Sequence, residues 1–160
     1  MQEAPGDIVM TRIGQAMMLL HGGDREEARN RFAALWSEIG ERGDALHRCT
    51  LAHYMADAQD DAEDELAWDL RALAAADGLR TADGPRHDRL PAHRAPLAVR
   101  AFYPALHLNL AADYAKLHRP AEARRHLDRA HAALDVLNDD AYGNDTREAL
   151  RRLERQLDAV

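Results

Sequence analysis

The chain has one cysteine, Cys49, in 160 residues. That excludes an internal disulfide and any zinc site built from several cysteines. Its expected role is a small apolar filler on a helix face. β-Branched residues are also scarce: three Ile, four Val and four Thr. Strands favour such residues, whereas the abundant Ala, Leu, Arg and Glu favour helices. The expected fold class is therefore all-α. No uninterrupted apolar run approaches the ~18 residues that span a bilayer, so no membrane association is expected. The N-terminal MQEAPGDIVMTR places acid ahead of a short apolar patch and lacks a basic leader segment, which points to a cytoplasmic location. Lysine occurs once, as Lys116, and the 21 Lys and Arg are outnumbered by 28 Asp and Glu, giving a net charge of −7. Phosphate neutralisation supplies most of a nucleic-acid binder's affinity, so this balance argues against a nucleic-acid partner.

What is present is a globular share of apolar residues, 46%, arranged at helical spacing. The periodicity predicts seven helices, over about 7–21, 24–41, 44–58, 61–77, 96–117, 120–137 and 145–158. Asp24 with Glu27 and Asp145 with Glu148 fit capping pairs, and Asp44 fits a cap before the third helix. Residues 78–95 interrupt the pattern with Gly78, Gly84, Pro85 and Pro91. Pro104, inside the fifth span, predicts a kink or a restart. Charge is uneven as well. Residues 57–69 hold seven acids and no base, and residues 80–100 hold five arginines and two acids. The ordinary reading of such runs is solvated surface, and a sharper one makes the basic insert a lid.

Residues 105–134 carry the clearest signal. Leu106, Leu110, Tyr114 and Leu117 share one helix face, and Ala123, Leu127, Ala130, Leu134 and Leu137 share another. Pro120 stands where a first turn accepts proline. Small residues recur twelve positions apart, at Ala111 and Ala123 and again at Ala16 and Ala28. The middle pair is looser, with Ala52 and Leu66 fourteen apart. The interval from Ala16 to Ala52 is 36, near the roughly 34 of a tetratricopeptide repeat (TPR). On these residues the chain resembles the TPR family, although Ala replaces the usual Gly and the usual aromatic near the start of the first helix is missing.

The resemblance implies an α-α superhelix of three antiparallel helix pairs with a C-terminal capping helix, in a single domain over 1–160 carrying an irregular basic insert at about 78–95. It implies a non-catalytic scaffold that binds a peptide or protein segment in a concave groove, without cofactor. The register assigns Asn109, Asp113 and Lys116 to the groove face of the fifth helix, and Thr50, His53, Tyr54 and Asp57 to that of the third. The first helix contributes Gly14, Met17, Met18 and His21. Asn109 matches an asparagine with which many peptide-binding TPRs hold a ligand backbone, because an amide both donates and accepts. Trp36 and Trp68 lie on second helices and are expected to pack between repeats. Two other readings come from different classes. One is a helical-bundle metalloenzyme using His53, His107 and Asp113, since facing helices build such sites. The other is a self-assembling homo-oligomer. No HExxH pair, phosphate loop or nucleophile elbow occurs.

Overall fold

A computed structural model describes residues 5–81, 97–137 and 140–159. Among them every regular element is helical: α1 (Pro5–His21), α2 (Arg25–Ile39), α3 (Ala45–Asp57), α4 (Ala62–Thr81), α5 (Leu97–Lys116), α6 (Pro120–Ala132), a 3₁₀ turn (Leu134–Val136) and α7 (Ala141–Asp158). The all-α class follows from the scarcity of strand formers. None of the described helices is long and apolar enough to cross a membrane.

Several boundaries depart from the periodicity. α4 runs on through Gly78, because one glycine in a helix costs only about 1 kcal/mol and does not force an end. The rest of the basic insert, 82–95, lies outside the described residues. α5 is one helix across Pro104, which is buried and forgoes one intrahelical hydrogen bond. α6 ends at Ala132 and tightens into the 3₁₀ turn rather than reaching Leu137. α7 starts earlier than expected, because the Asp140 carboxylate accepts the Gly143 N–H at 2.8 Å. Asp145, the expected cap, is thus inside the helix. Asp44 caps as expected, accepting from the Leu46 and His47 N–H groups at 2.8 and 3.3 Å.

The chain divides into two compact units, Met1–Ala75 and Ala76–Val160, with the division inside α4. In the first unit α1 packs on α2, and α3 packs on both. Its core is Ile13, Ala16, Ala28, Phe32, Leu35, Leu51, Met55 and Ala58. Ala16 and Ala28 are both fully buried, as their spacing requires if they allow close approach of the helices. α4 makes no comparably extensive backbone approach to α3. Leu66, buried on α4, stands where the other pairs have alanine. α4 joins this core through Trp68, which meets Trp36 edge-on at 5.0 Å. The guanidinium of Arg48 lies 4.5 Å over Trp36 and that of Arg71 lies 4.3 Å over Trp68.

In the second unit α5 and α6 form an antiparallel pair, and α7 packs on both. Ala111 and Ala123 are fully buried in its core, with Leu127, Ala130, Leu150, Leu153 and Leu157. The amphipathic stripe of α7 is thus spent on closing this pair. The turns of the two outer pairs are built alike. After α1, Asp24 N–H donates to Leu19 C=O at 2.9 Å and Gly23 N–H to Leu20 C=O at 3.1 Å. After α5, Arg119 N–H donates to Tyr114 C=O at 2.9 Å and His118 N–H to Ala115 C=O at 3.1 Å. Both are Schellman ends that satisfy the last carbonyls of the helix.

Candidate functional site

α1 carries three of the exposed large apolar side chains of the first unit. Met18 is 75% exposed, Ile8 47% and Met10 40%. Gly14 lies between Met10 and Met18 at steps of four, and a Cβ added there would meet nothing within 4 Å. The face is therefore open to close approach at its centre. The one arginine of α1, Arg12, is drawn to α2, where its guanidinium grips both carboxylate oxygens of Glu38 at 2.6 and 3.0 Å. That bond holds the Glu38 carboxyl below and the Arg12 guanidinium above their ordinary values. Arg12 also borders an open depression lined by Gln15, Arg31, Ala34 and Leu35.

On α3, which packs on α1, His53 and Tyr54 lie with ring centroids 5.1 Å apart. Both are half-buried. Burial pushes the His53 imidazole below its ordinary value, and Asp57 opposes that in part. Burial, then Asp57, push the Tyr54 hydroxyl up. His53 is thus neutral at pH 7, and Tyr54 presents a protonated hydroxyl. Asp57 is exposed at the end of the helix. Thr50 differs from the groove reading: it is buried, and its hydroxyl donates to Leu46 C=O at 2.8 Å within the helix.

In the second unit Asn109 is half-buried on α5 and Lys116 is exposed in its last turn. Asp113 is 1% exposed, which leaves almost none of it for a partner to touch. Of the residues in the metalloenzyme reading, His53 belongs to the first unit and His107 and Asp113 to the second.

The spacing argument missed the main polar feature of the second unit. His107 of α5 and His126 of α6 are both buried, and their Nδ1 atoms face each other at 3.1 Å. Tyr103 lies beyond His107, with centroids 6.2 Å apart, and Tyr114 beyond His126, at 5.5 Å. The four rings form a row with nearly parallel planes. Tyr103 Oη donates to Asp77 at 3.1 Å. Burial is the main reason that His107 is pushed down to about 4, with the charges of His126 and Arg129 adding to it. His126 is pushed down by burial, then by Arg129 and Arg125. The signal for this pair was present in the helix register. An antiparallel pair that sets Ala111 against Ala123 also sets residue 107 against 127, and so brings His126 alongside.

Set against protein-family models, curated proteins and solved structures, the chain finds no match.

Proposed function

We propose that this protein is a non-catalytic scaffold of TPR-like helix pairs that binds a peptide or protein segment, and that the α1–α3 face of the first unit is where the segment docks. The observation that carries this reading is the methionine-bearing side of α1, with Met10 and Met18 exposed and Gly14 open between them. Contiguous exposed apolar surface on a folded protein marks an interaction site. Methionine adapts to varied side chains, and a half-buried aromatic such as Tyr54 is the kind of anchor on which binding energy concentrates.

The charge balance narrows the partner. Residues 1–75 hold fifteen carboxylate side chains and seven arginines. A segment with aliphatic or aromatic side chains and basic flanks is complementary to such a surface. In the second unit Asn109 and Lys116 are the candidate contacts on the corresponding face of α5.

The test is a peptide-display selection against the whole protein, followed by affinity measurements on variants. Selected peptides should carry apolar residues with basic neighbours. Met18→Glu should weaken them by about tenfold or more, the order expected for losing a central contact. Arg152→Ala, on the exposed side of α7, should leave binding unchanged. Peptides that bind Met18→Glu as tightly as the native protein would refute the α1 assignment.

A further inference from the structure

We propose that His107 and His126 form an acid-sensitive latch between α5 and α6, in which one shared proton ties the two helices together and further protons release them. The geometry of the rings is the starting point. Their centroids are 5.3 Å apart and their Nδ1 atoms 3.1 Å apart. The difference is close to two ring radii, so both Nδ1 atoms lie near the line joining the ring centres. The planes differ by only 22°. Parallel planes alone would suggest a stack, but this contact is nitrogen to nitrogen, head-on and nearly coplanar. That is the arrangement of an N–H···N hydrogen bond. One imidazole must be the Nδ1–H tautomer and the other must offer its Nδ1 lone pair, with its own proton on Nε2.

The proton balance then decides what acid does. A proton added to Nε2 of the donor ring leaves the bond in place but creates an imidazolium in a buried contact. A proton added to Nδ1 of the acceptor ring sets N–H against N–H and abolishes the bond. Among the described residues, the charges that shift the two imidazoles are positive and oppose both. Those that act on the pair come from α6, Arg125 and Arg129. On α5 the neighbouring groups are the phenols of Tyr103 and Tyr114. Asp77 of α4 accepts from Tyr103 Oη at the end of the row, and Glu154 of α7 faces His131 at 3.8 Å.

The direction of the pH effect follows. His107 is protonated near 6.5 when unfolded and only near 4 when folded. Its contribution is intact above about pH 6.5, is lost progressively as pH falls towards 4, and levels off below that. α7 packs on both helices of the pair, so loosening it also loosens the cap.

The experiment compares urea melts of the native protein and of His107→Leu/His126→Leu at pH 7 and pH 5. The double variant replaces both partners with apolar groups, which need not cost stability as removing one would. The folding equilibrium constant of the native protein should fall by about ten- to thirty-fold more than that of the variant. Equal pH dependences would overturn the latch. A second measurement needs no variant. Nitrogen-detected NMR of the native imidazoles should show one Nδ1–H and one Nε2–H tautomer, the former slow to exchange. Two Nε2–H rings titrating independently near 6.5 would overturn it. So would marked stabilisation of the native protein alone by Zn(II) or Cu(II), which would make the pair a chelate.

Discussion

Gly23 and His118 occupy the same place in two separate turns, 95 residues apart. Each is the left-handed residue after a helix, at φ 95° and 59° respectively, and each is followed by the residue that opens the next helix. The same offset relates Ala16 to Ala111, Ala28 to Ala123 and Phe32 to Leu127. The likeness of the two outer pairs therefore extends from side-chain spacing to backbone conformation. Only the first turn uses the residue that adopts this conformation without strain.

His118→Gly should accordingly stabilise the protein by about 0.5–1 kcal/mol, the cost of holding a side chain at positive φ being relieved. Gly23→Ala should do the reverse by at least as much. Paired urea melts at pH 7 check both. A destabilised His118→Gly would show that the imidazole makes a contact worth more than its strain.

Leu110 and Leu127 are buried to 0% and 4% exposure in the second unit. Truncating either to alanine should cost about 2–5 kcal/mol, since each leaves a cavity that helices held by neighbouring contacts cannot close. A loss under half a kcal/mol at both sites would contradict the packing described for α5 and α6.

The start of α7 distinguishes two caps. Asp140→Ala should cost about 0.5–2 kcal/mol, because the Gly143 N–H loses its acceptor. Asp145→Ala, on an exposed position within the helix, should stay within about 0.5 kcal/mol. The opposite order in thermal melts would return the helix start to Asp145.

The seven helices were legible because apolar periodicity reports which face of a helix is buried. The alanines at twelve-residue spacing were legible for a related reason: close approach leaves few residue types possible. Periodicity says less about ends. Asp145 with Glu148 matches a cap pattern as well as Asp140 does, and only the backbone decides between them. Gly78 marked a break that the helix absorbs, and His118 carried no mark at all, since the left-handed turn normally announces itself by glycine. The candidate site was partly legible. Met18, His53, Tyr54 and Asp57 keep exposed or half-buried positions, whereas Thr50 and Asp113 lie on the buried margin of their helices, where a shift of some tens of degrees separates groove from core. The His107–His126 contact was hidden because His107 was set against His53 of α3 rather than against α6, the helix that follows it.

The distribution of the tryptophans has a practical side. Trp36 and Trp68 are the only two in the chain, and both belong to Met1–Ala75. Each indole is half-buried with a guanidinium over it. Their emission is therefore an intrinsic optical probe that resides in that half. Far-ultraviolet ellipticity sums over every helix. Recorded together during denaturation, the two signals separate the melting of one half from that of the other without any introduced dye. Coincident curves would report a single cooperative transition, and displaced curves two.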